Sequence, residues 1–405
     1  MNDERRERPA WAEWQPSRPY TLGAEEEVML LNPRDWSLAQ QSERVFAALP
    51  GELEGHLTGE TQSSVVELST GINDDIASLG TELFNLRSAL EIELSTLGIR
   101  AASAGTHPST VWQETVISRQ PRYQAVYGSM RELARREPTF ALHIHVGVAD
   151  PEDAIRLANA IRAHVPMLLA LSVNSPFWQG RDTGLASART PLFQAFPRVG
   201  IPRAFESFDD WRDTVELLVR CEAFPEPTFL WWDVRPQPRF GTVEVRICDA
   251  QTQVAETAAL CALVQCIARL EIEDGFADQT LVDSWEVLCE NRFLAARDGI
   301  DAELIDPRSE QRVPVRRQLA ELLEACIPHA LALGCGAELE RVRGFAERTG
   351  AERQIELARR PERLPGLVAT LADDFCAAPP GSPPSASDDA DQARSEPNSR
   401  ASRAA

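Results

Sequence analysis

In four places this chain sets acidic, imidazole or guanidinium side chains among apolar ones in the rhythm of a strand: Glu25-Glu26-Glu27, Val65-Val66-Glu67, His143-Ile144-His145 and Glu244-Val245-Arg246. Successive side chains of a strand leave opposite faces, so residues i and i+2 share one. Glu25 therefore shares a face with Glu27, His143 with His145, and Glu244 with Arg246. The residues between and beside them (Val28 and Leu30; Leu142, Ile144 and Val146; Val243, Val245 and Ile247) furnish an apolar opposite face. Such a sheet can bury one side and handle metal ions and anions on the other.

Gathering Glu25, Glu27, Glu67 and Glu244 on one surface has an energetic consequence. Two carboxylates 4 Å apart repel by about 4 kcal/mol at an effective dielectric of about 20. Several of them converging would oppose folding unless protonated or neutralised. Divalent cations are the natural solution, and oxygen-rich ligation selects Mg²⁺ or Mn²⁺. A lone strand glutamate is ordinarily just a solvated one; the same face logic repeated in four segments is what favours a shared site. Arg246, beside Glu244, has the planar fork that can hold a phosphate next to a metal.

Composition narrows the chemistry further. The formal net charge is −21, which argues against nucleic acid as a partner, since sequence-independent binding needs a basic footprint. All 41 basic residues counted as Lys+Arg are arginine. A chain without lysine has no Schiff-base lysine and no lysine in a Walker-type loop or kinase role. Phosphates, if bound, must be neutralised by arginines and metals. The eight cysteines are scattered through apolar stretches with no C-x-x-C pair, as small buried hydrophobes would be. No run of about 18 apolar residues points to a membrane span, and Met1-Asn2-Asp3-Glu4-Arg5-Arg6 lacks the apolar core of a secretory signal. The expected location is cytoplasmic.

Residues 1–17, charged and punctuated by Trp and Pro, read as a loosely attached arm, and 377–405, little but Ala, Ser, Asp, Arg and Pro, as a disordered tail. Between them 18–376 shows no linker or repeat and reads as a single domain. Strands are expected at about 20–31, 62–69, 98–104, 140–149, 228–235 and 240–248, and helices at about 74–97, 151–173, 251–272, 280–297, 315–332 and 350–372. Asp150-Pro151-Glu152-Asp153 supplies an N-cap, a first-position proline and first-turn acids, and the helix after Asp249 begins similarly. Pro236-Gln237-Pro238-Arg239 joins the last two strands as a hairpin. An α+β fold follows, with an antiparallel sheet and helices packed on one face.

One long irregular stretch, from Asn174-Ser175-Pro176-Phe177-Trp178 through Ser187-Ala188-Arg189-Thr190 to Phe196-Pro197-Arg198, is rich in arginine, glycine and aromatics. Long loops inside compact domains are usually functional, and Arg189 and Arg198 are candidates for clamping a substrate carboxylate. His56, His107, His164 and His329 have no partners at metal-ligand spacing and read as ordinary histidines.

Leu22-Gly23-Ala24-Glu25-Glu26-Glu27, His143-Ile144-His145-Val146-Gly147, Asn174-Ser175-Pro176-Phe177-Trp178 and Gly241-Thr242-Val243-Glu244-Val245-Arg246 occur in this order and at fitting distances. Together they resemble the type 2 glutamate–cysteine ligase family, carboxylate–amine ligases related to glutamine synthetase, from about Tyr20 to about Asp373. The resemblance implies a glutamine synthetase-like domain: a curved antiparallel sheet with ATP entering at one end and two or three Mg²⁺ (or Mn²⁺) ions in the middle. By motif, Glu25, Glu27, Glu67, His143 and Glu244 would ligate metal. Glu60, seven residues before Glu67, matches an acidic ligand of a related ligase group. His145 and Arg246 would lie near the ATP phosphates. The implied reaction activates the γ-carboxylate of glutamate as an acyl phosphate, which cysteine or another amine captures. Nothing in the sequence reads the cysteine thiol, and an open sheet of this kind has edges that can pair in a homo-oligomer.

Two alternatives compete. A metal-dependent amidohydrolase could use the His143/His145 pair, although such barrels place it on their first strand and often need a carboxylated lysine. A non-catalytic, ligase-like binding protein would be marked by loss of metal ligands, and none of the matched ones is lost.

Overall fold

The computed structural model describes residues 9–136, 138–360 and 363–377. Seven strands make one sheet: β1 (Leu22–Leu31), β2 (Leu57–Gly59), β3 (Val65–Ser69), β4 (Arg100–Ala102), β5 (Ala141–Gly147), β6 (Val234–Gln237) and β7 (Thr242–Asp249). Their order is β6-β7-β5-β1-β3-β2, every pairing antiparallel, with β4 replacing β5 along the last residues of β1. The fold is thus α+β, as the alternation of polar and apolar residues predicts.

Helices cover the apolar face. Ile76–Thr96 is capped by Asp75, which accepts from the Ser78 N–H at 2.8 Å. Pro151–Ser172 is capped by Asp150 with its proline in the first turn. Val254–Glu273, buried nearly all round as a core helix should be, packs on both of these and on Val315–Leu333 and Gly336–Glu347. Leu22, Ala24, Leu142, Ile144, Val146, Val243 and Val245 join this core from the sheet, while Val28 and Leu30 meet Leu83, Leu86, Leu90 and Leu94. Among the described residues only Pro151–Ser172 is long and apolar enough to cross a bilayer, and it is this buried core helix.

Several expectations are corrected. The helix after Asp249 starts later, at Val254, and its cap is a Gln253/Glu256 capping box; Asp249 is buried elsewhere. The strand expected at 228–235 divides into a turn at Pro227–Phe229, a Trp231–Trp232 strand drawn off to pair with Val199–Gly200, and β6. The 280–297 and 350–372 helices each divide in two. The arm is not loose over residues 9–17. Trp11 meets Trp211 edge-on at 5.8 Å, Trp14 meets Phe208 at 5.8 Å, and Trp14 Nε1 donates to the Val148 carbonyl at 3.3 Å. Residues 1–8 and the expected disordered tail from 378 onward lie outside the described residues.

Candidate active site

The face of the sheet turned away from the core helices carries the polar members of each strand, with Met29, Leu31 and Val65 of the same face packed against the Arg363–Asp373 helix, and the register sets who meets whom. Glu244 of β7 stands directly opposite His145 of β5, Glu25 of β1 opposite His143 of β5, and Glu27 of β1 opposite Glu67 of β3. The six expected metal ligands fall into two triads, Glu25–His143–Glu244 and Glu27–Glu60–Glu67, each with its ligand atoms within 4.8 Å of one another.

The first triad is partly balanced. His143 Nδ1 lies 3.2 Å from Glu25 Oε2 and 4.0 Å from Glu244 Oε1. Glu244, with a fully buried side chain, accepts from Arg235 Nε at 2.7 Å, from Gln237 Nε2 at 2.6 Å and from Arg246 Nη1. Burial would raise its carboxyl, but the charges of Arg235 and Arg246 hold it well below the usual range. At Glu25 burial is likewise outweighed, by the His145 charge and hydrogen bonds with His143 and His145. Burial and the neighbouring Arg246 lower His143, keeping a neutral ring able to ligate, whereas at His145 the charges of Glu25 and Glu244 overcome burial and raise it.

The second triad is balanced less: His143 Nδ1 lies 3.9 Å from Glu67 Oε2, and the charges of Arg246 and Arg122 offset only part of the burial at Glu60. Glu27 accepts the Ala141 N–H at 2.6 Å, Glu67 a hydroxyl from Thr58 at 3.1 Å and Glu60 the Thr61 N–H at 3.1 Å. Burial and the charge of Glu27 push Glu60 up to about 8, and burial with Glu25, Glu60 and Glu27 raises Glu67 well above its ordinary value. Like charges directly opposite on paired strands are destabilising, so this triad is a carboxylate cluster in want of a cation. Its oxygen donors, and the oxygen-rich first triad with one neutral imidazole, fit Mg²⁺ or Mn²⁺. His145 Nε2 adds a buried nitrogen without a well-formed hydrogen bond, 3.4 Å from Glu25 Oε1.

The remaining expected residues divide. Arg246, His143, Glu27 and Glu60 line one small cavity together with Arg189 and Phe193. Arg189 is buried there and donates to the carbonyls of Ile247 at 2.9 Å and Arg246 at 3.1 Å. Arg198 lines no part of that cavity; it lies against the rings of Trp231 and Phe224 and donates to the Phe229 carbonyl at 3.1 Å. The discounted histidines are each engaged: His56 with the Ser69 carbonyl, His107 with that of Trp36, His164 with Glu271 and His329 with Asp274. Arg235 and Gln237, which grip Glu244, escaped notice, although they obey the same i, i+2 rule on β6.

The model of glutamate–cysteine ligase family 2 matches residues 21–373. The chain belongs to that family. Among relatives, one from Rubrobacter xylanophilus, named "Putative glutamate--cysteine ligase 2-3", is 42% identical over 359 residues, covering 88% of this chain and 97% of its own. Another from Sorangium cellulosum, named "Putative glutamate--cysteine ligase 2", is 39% identical over 362 residues, covering 87% and 96%. The fold is shared with a glutamate–cysteine ligase from Francisella tularensis solved in complex with AMP (TM-score 0.65, 13% identity, 90% of this chain and 91% of that one). It is shared also with a bifunctional glutathione synthetase from Pasteurella multocida (TM-score 0.63, 13% identity, 88% and 52%). The amidohydrolase alternative falls with this: the histidine pair sits mid-sheet on an antiparallel strand, not in a parallel barrel. A member of the glutamate–cysteine ligase 2 family is an ATP-dependent carboxylate–amine ligase, and this chain is read as one.

Proposed function

We propose that the protein joins the γ-carboxylate of glutamate to the amine of cysteine or a related amine, driven by ATP, and so makes γ-glutamylcysteine or a close analogue. The convergence of two ligand triads beside Arg246 is the observation that carries this reading. Glu25, His143 and Glu244 would hold one divalent cation, and Glu27, Glu60 and Glu67 another. When bound, such cations neutralise phosphate oxygens and fix the reacting groups in line. Arg246 offers its guanidinium to the phosphates beside Glu244, and His145, raised by its acidic neighbours, offers a charged N–H to the same oxygens.

In the first step a γ-carboxylate oxygen of glutamate attacks the γ-phosphorus, and the bond to ADP breaks. In the second the amine nitrogen attacks the acyl carbon, phosphate leaves, and the amine proton is released. The chain contributes mostly placement and charge. Phe193 and Phe196, ring centroids 5.1 Å apart, line the cavity with apolar surface. The need for ATP supports a cytoplasmic location.

The test is ADP release by the full chain with Mg²⁺, glutamate and a panel of amines, with the product identified by mass spectrometry. Release that requires both glutamate and an amine, giving a γ-glutamyl amide, is expected. Release indifferent to both contradicts the reading, as does equal activity in Glu244→Ala.

A further inference from the structure

We infer that Arg189 is a positioning residue that holds a bulge of β7 and thereby aims Arg246 into the site. The inference rests on the reading of Arg246 as a phosphate contact. Strand β7 is in register with β5 at Val245–Ile144 and again at Cys248–Leu142, three steps on one strand against two on the other. The extra residue is a bulge at Arg246 and Ile247. Bulges disrupt the ladder, bend the strand and re-aim a side chain, and they gather beside active sites.

Both sides of this bulge are pinned. The Arg246 N–H donates to the Asp233 carbonyl at 2.8 Å. The carbonyls of Arg246 and Ile247 accept from Arg189 Nη2 and Nη1, at 3.1 and 2.9 Å. A guanidinium whose two Nη atoms each serve a main-chain carbonyl is held in place by β7, which restricts how it can turn to grip a substrate carboxylate. Arg246 does keep a donor uncommitted: its Nε is buried with no hydrogen-bond partner among the described residues.

Arg189 is itself held by a buried anchor. Asp249, at the end of β7, lies 3.7 Å from Arg189 Nη1. It accepts from the Asn174 N–H at 2.8 Å, Ser175 Oγ at 2.7 Å and Ser187 Oγ at 2.9 Å. Ser175 Oγ accepts in turn from the Arg189 N–H at 3.2 Å. One carboxylate thus gathers both ends of the 174–188 loop, the start of the Arg189–Phe193 helix and the strand bearing the bulge. Gly105 allows it: a Cβ there would stand 2.6 Å from Asp249 Cγ. The loop that looked like a substrate clamp is a brace for its neighbour.

The full-length chain tests this through ADP binding in Mg²⁺ buffer by calorimetry, beside steady-state ADP release with ATP and glutamate varied separately. Arg189→Met is expected to weaken ADP binding about tenfold or more, the scale of a lost charge-assisted hydrogen bond. It should raise the KM for ATP and leave that for glutamate in place. Arg189→Met/Arg246→Met should bind ADP no worse than Arg246→Met alone, because the first residue acts through the second. Arg189→Lys, able to reach only one carbonyl, should fall between wild type and Arg189→Met; should the methionine variant not fold, the lysine variant and Ser175→Ala/Ser187→Ala are read by the same criteria. A raised KM for glutamate with ADP affinity intact, or losses that add in the double variant, would overturn the inference while leaving the ligase reading in place. A wild type that binds no ADP would overturn both.

Discussion

Glu26 and its two neighbours show how parity along a strand decides a residue's chemistry. Glu25 and Glu27 face the open site, whereas Glu26 faces the helices, fully buried, and meets Arg87 through two hydrogen bonds of 2.8 and 2.6 Å and Thr257 at 2.6 Å. Breaking a buried pair from one side leaves an uncompensated charge, so Arg87→Met should lose about 3–5 kcal/mol of stability in urea unfolding, and Arg87→Met/Glu26→Leu should recover part of it. Glu244→Gln tests the other face. It removes the charge that Arg235 and Arg246 were built around, so it should cost stability too, and ADP release per folded chain should fall about 100-fold or more. Parity was legible in the sequence because strand alternation is local. The targets of Arg189 and Arg198 were not, because a loop side chain finds carbonyls and rings that only the tertiary structure brings near.

At the scale of elements, the turn before β7 carries a strict requirement. Gly241 has φ of +61°, and a Cβ on it would meet the Gln15 carbonyl oxygen at 1.9 Å, where residues 9–17 cross. Gly98, past the end of the Ile76–Thr96 helix, has φ of +69° but open space around it. Both alanine variants suffer backbone strain of about 1–3 kcal/mol; Gly241→Ala adds the clash, so its melting temperature should drop clearly further. Capped, periodic helices such as Pro151–Ser172 were readable from their ends. The Phe208–Arg220 helix was not among the expected helices, despite its Ser207 cap and first-turn Asp209 and Asp210. The three-residue β2 has too little length to show a period, yet it brings Glu60 alongside Glu67.

For the whole molecule, the carboxylate crowd links stability to pH and to cations. Glu60 keeps its proton up to about 8 in the fold but loses it at ordinary carboxyl pH when unfolded, and Glu67 is raised in the same direction. Above those carboxyl values the folded state holds more protons at these two groups, while His107 and His143, lowered on folding, oppose them below about 6.5, so stability should fall as pH rises from about 6.5 to about 8. Thermal melts without divalent ions should show that fall, and Mg²⁺ should flatten it by binding only the folded chain. The central claim, that two carboxylate-rich triads each hold a cation, is tested most directly by counting Mn²⁺ bound in the presence of ADP. At least two ions per chain are expected, with Glu67→Gln losing one. A chain that binds none, or one whose count is the same in Glu67→Gln and Glu25→Gln as in wild type, would contradict it.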